Sequence, residues 1–297
     1  MSTISVIILT YNEEQHLSRC IASVKSIAQR IIVIDSYSCD KTIEIAKNHG
    51  VDIYQNKWFN YANQFNWALE NTQINTDWIF RLDADEYLTE QLKDEIKIKI
   101  PLLEPNIAAI NIKRRVYFLG KWMKHGGIYP TYLPRIWKTG YGKIESRNMD
   151  EHLVLSGGKF HDFEYDLVDE NLNTLDWWSN KHIKYALREA LDISLKEELE
   201  KKENITSKIT GSQAERKRFI KNIYLKFPLF IRPSIYFLWR YIFRLGFLDG
   251  REGFVWNFLQ AYWYRVFVDC VLLEAEKKSS IEGVSASEWI KNKIYSP

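Results

Sequence analysis

The sequence predicts an α/β protein with a doubly wound, mostly parallel sheet flanked by helices, followed by a helical C-terminal region rich in bases and rings. Three observations carry this. Short, nearly continuous apolar runs alternate with helix-period stretches from residue 4 to residue 116, as expected of a sheet buried on both faces. The runs end in polar or acidic residues. The last third then changes to a basic, aromatic composition.

The elements follow in order. Residues 4–9 form a buried strand, Thr10 to Asn12 the turn after it, and 13–27 a helical pattern carried by Leu17, Ile21 and Val24. A second strand, 30–34, ends at Asp35. Residues 36–40 supply helix-capping side chains, and 41–48 form a helix closed by Gly50. A third strand spans 51–54. A helix spans 61–70 with Phe65, Ala68 and Leu69 on one face, and a fourth strand, 78–82, runs into Asp83-Ala84-Asp85. Residues 88–100 form a helix stopped by Pro101, and 107–116 a further strand. From 117 to 158 the chain is rich in Gly, Trp and Tyr without clean periodicity, as expected of loops and short strands over the sheet edge. Residues 172–199 and 254–273 are helical, and 201–212 is a polar stretch.

The composition excludes several classes. With 46% hydrophobic and 27% charged residues the chain is not a disordered one. A net charge of +3 does not suit a nucleic-acid binder. Cys20, Cys39 and Cys270 are far apart, which argues against a disulfide scaffold or a zinc site and for a reducing compartment. The start of the sequence lacks a basic n-region, and no uncharged stretch approaches the roughly 20 residues that span a bilayer. The expectation is a cytoplasmic chain that does not cross a membrane. No GxGxxG follows the first strand, which disfavours a dinucleotide-dependent oxidoreductase.

In doubly wound sheets ligands bind beyond the carboxyl ends of the strands. Thr10 to Asn12, Asp35 and Asp83 to Asp85 all fall there. Two carboxylates two residues apart can share a divalent cation, and hard oxygen ligands suit Mg²⁺ or Mn²⁺. Asp35 can accept hydrogen bonds from a uracil-type imide or a ribose hydroxyl.

The motifs ILTYNEE, IVIDSYSCDKT and WIFRLDADE, in this order and spacing, resemble glycosyltransferase family 2 with its GT-A nucleotide-sugar-binding fold. WFNYANQFNWAL, MDEH at 149–152 and FLDGREGF at 247–254 extend the likeness, which is nearest to the bacterial subgroup building lipopolysaccharide core, O-antigen and capsule sugars. The resemblance implies inverting, metal-dependent transfer of a sugar from a nucleotide diphosphate sugar, a UDP-sugar first among donors, to an acceptor hydroxyl. By position, Thr10, Asn12 and Glu13 would line the nucleotide pocket and Asp35 would hold the base. Asp83 would sit by the ribose or a metal-bound water, and Asp85 would be the main metal ligand. Glu151 is the first candidate for the catalytic base and Asp150 the second. His161 would complete the metal site. Gln64 and Asn66 would reach the donor sugar or diphosphate, although the family's usual Arg is Phe65 here. Arg135 is open to an acceptor or diphosphate contact, and His182 to a structural or acceptor-side role.

On this reading residues 1–165 form the catalytic domain with its acceptor loops, and 166–297 a helical region. Within it, residues 212–248 hold eight bases against Glu215, a charge of +7, so the remainder of the chain is −4. Ten rings are interleaved with those bases. Such a segment suits either packing between helices or contact with an anionic membrane surface, where bases meet headgroups and rings lie at the boundary. The latter fits a lipid-linked or growing surface glycan as acceptor and a peripheral place on the inner face of the cytoplasmic membrane. Two alternatives stand beside this reading, a polyprenyl-phosphate glycosyltransferase and a non-catalytic nucleotide-sugar-binding membrane module.

Overall fold

The computed structural model describes residues 2–145, 152–202 and 223–295. The chain divides into two compact units, Met1–Asn173 and Thr174–Pro297.

The first unit is built on a nine-stranded mixed sheet among the described residues, ordered β3-β2-β1-β4-β8-β6-β11-β5 with β7 on β6. Its parallel half is β1 (Ile4–Thr10), β2 (Arg30–Asp35), β3 (Asp52–Gln55) and β4 (Trp78–Asp83). These are the apolar runs of the sequence. β1 shows why: Val6 and Ile8 pack to one side with α1 (Leu17–Val24) and α4 (Glu90–Lys99), while Ile7 packs to the other with α3 (Tyr61–Asn71). Each such side chain, taken fully out of water, stabilises the fold by about 1.5–3 kcal/mol. The helix α2 (Thr42–Asn48) joins β2 to β3. Local chemistry sets the helix starts: Asn60 accepts from the Asn63 amide at 2.7 Å, and Thr89 caps α4 through the Leu92 amide at 3.3 Å.

The rest of the sheet departs from expectation. β5 (Glu86–Leu88) occupies residues directly after the acidic triplet, so the following helix begins at Glu90 rather than 88. β6 (Ile107–Phe118) is followed by β7 (Lys121–Trp122) and then β8 (Tyr132–Lys138). β8 was expected among loops over the edge, yet it lies inside the sheet, antiparallel to both β4 and β6. Pro134 sits there without breaking the ladder because the β6–β8 register shifts between Ile110 and Asn111. β9 (Gly142–Ile144) and β10 (Leu153–Leu155) form a separate hairpin pair, packed with Trp137 and Phe65. β11 (Lys159–Glu170) runs parallel to β6 and antiparallel to β5, which curls the sheet back toward the end of β4. Its irregular stretch near 164 is held by buried Glu95, which accepts from the Glu164 and Tyr165 amides at 2.9 and 3.0 Å. Because β11 belongs to this sheet, the first unit ends at Asn173 rather than at 165.

The second unit is helical: α5 (Leu175–Lys202), α6 (Ile231–Leu238), α7 (Gly250–Asn257), α8 (Tyr264–Glu282) and α9 (Ala286–Tyr295), with π-helical turns at Trp239–Phe243 and Phe258–Trp263. Ala186, Ala190 and Leu191 of α5 pack on Val268, Val271 and Ala275 of α8 and on Ile290. Gly253 allows the turn before α7 to close, since a Cβ there would lie 2.5 Å from that of Asp249. No helix among the described residues is long and apolar enough to cross a membrane.

Candidate active site

The parallel register collects the acidic strand ends. Thr10 pairs with Asp35 across β1–β2, and Leu9 pairs with Asp83 across β1–β4. The carboxyl ends of β1, β2 and β4 therefore form one edge.

Asp35 is fully buried. Its Oδ1 accepts from Thr10 Oγ1 at 3.1 Å and Ser38 Oγ at 2.5 Å, and its Oδ2 from the Ser38 amide at 2.9 Å and Gln55 Nε2 at 3.2 Å. Four donors satisfy the carboxylate, so it shapes the 36–39 turn, and a nucleobase reaches it only by displacing one of them. Asn12, in the left-handed region at φ 56°, accepts from the Cys39 amide at 2.9 Å and binds the two turns together. Glu13 pairs with His16 Nδ1 at 2.7 Å, and the other nitrogen of that buried ring accepts from the Leu172 amide at 2.8 Å. Tyr11 and Tyr37 project from the same two turns, each 59% exposed.

Asp83 closes β4 and its amide donates to Glu86 Oε2 at 3.0 Å, which makes the Asp83-Ala84-Asp85 turn tight. Asp83 accepts from Tyr61 Oη at 2.9 Å and from both terminal nitrogens of Arg135 at 3.2 Å. Burial alone would raise its pKa. The Arg135 and Arg81 charges and the Tyr61 bond outweigh that and bring it to about 2. Arg135 also binds Glu86, and both side chains are almost wholly buried. Burial holds Glu86 above the usual carboxylate range, against the pull of Arg135. Asp85 is anchored through its backbone carbonyl by the Glu170 amide at 3.1 Å and by Arg19 at 3.4 Å. Its Oδ2 accepts from Asn171 at 3.0 Å, and its Oδ1 has no hydrogen-bond partner among the described residues. Asp169, opposite Glu86 on β11, is pushed up to about 6 by burial and by the charge of Asp85, with Arg114 opposing.

The structure brings together Thr10, Asn12, Glu13 and Asp35 on one side of this edge and Asp83 and Asp85 on the other. Of the remaining candidates it sets Gln64 beside the Asp35 turn, through Ser36, and Asn66 against β9. Gln64 is buried and spends its amide on Asn56 and Ser36: it accepts from Asn56 Nδ2 at 2.8 Å and donates to Ser36 Oγ at 3.1 Å. Asn66 exchanges two hydrogen bonds with the Ile144 backbone, at 2.8 and 3.0 Å, and so holds β9 as a strand would. His161 pairs with Ile110 and Asp169 with Val116 of β6, six strand steps apart or roughly 20 Å, and the His161 ring lies edge-on to Phe163. It is not near Asp85, so that metal-ligand assignment is corrected. Asp150 and Glu151 lie outside the described residues. His182, on α5, stacks on Trp178 at 3.5 Å and is packed in the second unit's aromatic core.

Sequence reasoning missed Glu86, Asp169, Tyr61, Tyr11 and Tyr37, and left Arg135 undecided. Asp169 carried a readable signal, an apolar Leu-Val pair ending in acid, the same signature as β4.

The chemistry of this donor set suits a hard divalent cation. Among the described residues no three His, Cys, Asp or Glu side chains converge on one ion. Asp83 and Asp85 supply two carboxylates at most, and the remaining ligands would be phosphate oxygens and water.

Residues 5–164 match the family model described as Glycosyl transferase family 2. The lipopolysaccharide core biosynthesis glycosyltransferase LpsC of Rhizobium meliloti (strain 1021) is 26% identical over 276 residues, covering 87% of this chain and 90% of that protein. The uncharacterized glycosyltransferase RT0209 of Rickettsia typhi is 42% identical over 97 residues, covering 33% of this chain. The chain thus spans about a third of the length of the Rickettsia relatives it matches (32% for RT0209). Among solved structures, glucosyl-3-phosphoglycerate synthase from Mycobacterium tuberculosis, in complex with Mn²⁺, UDP and glucosyl-3-phosphoglycerate, aligns with a TM-score of 0.32. The identity is 22%, over 39% of this chain and 44% of that one.

Proposed function

The chain belongs to glycosyl transferase family 2, and from that premise we propose that it is a metal-dependent, inverting glycosyltransferase. It would move a sugar from a nucleotide diphosphate sugar, a UDP-sugar first, to a hydroxyl of a lipid-linked or growing bacterial surface glycan. The observation that carries the reading is the single edge shared by Thr10, Asp35, Asp83 and Asp85. Likeness to LpsC over most of both chains supports the choice of acceptor class.

The nucleoside lies against the turns after β1 and β2. Tyr11 and Tyr37 offer ring faces for the base, and the Asp35 hub holds both turns in place. Asp85, through its unpartnered oxygen, and Asp83 would hold Mg²⁺ or Mn²⁺. When bound, the cation neutralises charge building on the departing diphosphate. Asp83 stays ionised throughout the neutral range because Arg135, Arg81 and Tyr61 fix it so. The acceptor hydroxyl loses its proton to Glu151, or in second place Asp150, and its oxygen attacks the anomeric carbon from the face opposite the leaving group. One displacement inverts the configuration. The chain works at the inner face of the cytoplasmic membrane, where such acceptors are anchored.

Thermal unfolding in the presence of Mn²⁺ and UDP-, GDP- or dTDP-sugars tests this. A donor at a hundred times its Kd stabilises by about 2.7 kcal/mol. A shift with one donor class is expected, and none with any donor overturns the reading.

A further inference from the structure

We propose that the segment from Phe227 to Phe258 is an anionic-lipid-binding surface that seats the outward stripe of α6 and its π-helical turn in the membrane interface. This deepens the membrane part of the proposed function and is independent of the chemistry at Asp85.

The orientation of α6 carries the argument. Arg232 on this helix is buried and paired with Asp269 of α8, and the same carboxylate accepts from the Phe230 amide at 2.8 Å. The charge faces inward. About a quarter turn from Arg232 around the helix, Ile231, Ile235, Leu238 and Ile242 are spaced four, three and four residues apart as one helical stripe, and all are exposed. The π-helical turn adds Trp239 at 52% and Phe243 at 70% exposure beside that stripe. Leu248, at 53%, and Phe254 continue the apolar surface beyond it. A soluble surface rarely carries so many large apolar side chains together, and a contiguous patch of this kind marks a contact site.

Charge decides the occupant. Residues 227–258 contain Arg232, Arg240, Arg244 and Arg251 against Asp249, which is buried, and Glu252. Arg232 is used internally, and Arg244 is exposed at the end of the stripe. A second copy of this chain meeting the patch on a two-fold axis would set like charges against each other. An anionic bilayer complements both features, taking the rings and aliphatic groups into the interface and the bases to its headgroups.

The test uses the full chain with sedimented vesicles of phosphatidylcholine alone and of phosphatidylcholine with phosphatidylglycerol. Binding to the second, weakened by salt and at least tenfold stronger than to the first, is expected. Arg244→Glu removes one favourable charge and adds an unfavourable one, which should lower partitioning roughly 25-fold. Phe243→Glu should do at least as much, with circular dichroism and melting temperature unchanged as the folding control. Equal binding to both vesicles, no binding to either, or wild-type binding by Phe243→Glu overturns the proposal. So does a concentration-dependent dimer that Phe243→Glu dissolves, since the face would then be a protein interface. Asp85→Asn should bind vesicles as the wild type does, so a failed catalytic reading and a failed lipid surface give different results.

Discussion

Arg135→Met is the most informative perturbation of the first unit. It removes the guanidinium that binds both Asp83 and Glu86 and keeps most of the volume. Glu86 is 1% exposed and would retain only the Asp83 amide at 3.0 Å as a donor. Breaking a buried ion pair from one side typically costs about 3–5 kcal/mol, because the partner charge, here the ionised Asp83, is left without its counter-ion. Against a total stability of about 5–15 kcal/mol this is large but survivable. The cost should depend on pH in a defined direction. Burial raises Glu86 from its ordinary 4.5, so the folded state keeps a proton that the unfolded state has lost, and stability falls as pH rises through that window. Without Arg135 the folded value rises further. Both folded states then hold the Glu86 proton up to about pH 8, so the variant's deficit should be flat from pH 4.5 to about 8 and grow above it. Urea titrations at several pH values measure it, with an unchanged slope showing that only stability moved. Adding Glu86→Gln should remove the part of the loss that grows above pH 8. A deficit below about 1 kcal/mol, or no recovery in the double variant, would refute the claim that this pair organises the turn.

Other outcomes follow from single observations. His182 is lowered to about 4, chiefly by burial, so the second unit should lose stability as pH falls from 6.5 toward 4. The full shift corresponds to about 3 kcal/mol, and about 2 after allowance for partial exposure. Melting curves of His182→Asn should lack that acid limb, and parallel slopes would count against the assignment. Gly158 has φ +83°, and a Cβ there would meet Ala108 Cβ at 2.4 Å, so Gly158→Ala should destabilise by about 1–3 kcal/mol. Gly157→Ala, with open space around it, should shift the urea midpoint little. Tyr11→Ala and Tyr37→Ala should each weaken UDP binding about five- to tenfold by calorimetry, the loss of one stacked ring. Unchanged affinity in both would place the base elsewhere.

The sheet's parallel half was legible because β1, β2 and β4 are nearly continuous apolar runs with an acid or Thr at their ends, and the register then puts Thr10, Asp35 and Asp83 in a row. β8 was not legible. Pro134 argues against an interior strand, and only the bulge beside it, where Arg135 is the extra residue of β8 against β6, removes the objection. Arg135 was therefore left undecided, although it is the group that fixes Asp83. β11 hid Asp169 because its first half alternates charged and aromatic residues on an exposed edge before its apolar end. Gln64 and Asn66 are ambiguous for a different reason. An amide suited to a sugar hydroxyl is equally suited to a backbone, and only the fold shows that Ile144 and Asn56 take them. In the second unit the excess of rings was visible, but not that Arg232 turns inward and leaves the apolar stripe outside.

The central claim is that Asp85 and a divalent cation make this edge a sugar-transfer site. Release of nucleoside diphosphate from the donor that stabilises the chain, followed against Mn²⁺ concentration for the wild type and Asp85→Asn, tests it most directly. The account predicts saturable, Mn²⁺-dependent release by the wild type and background release by the variant at an unchanged melting temperature. Release by Asp85→Asn with the wild-type Mn²⁺ dependence, or at the wild-type rate in metal-free buffer, would contradict it.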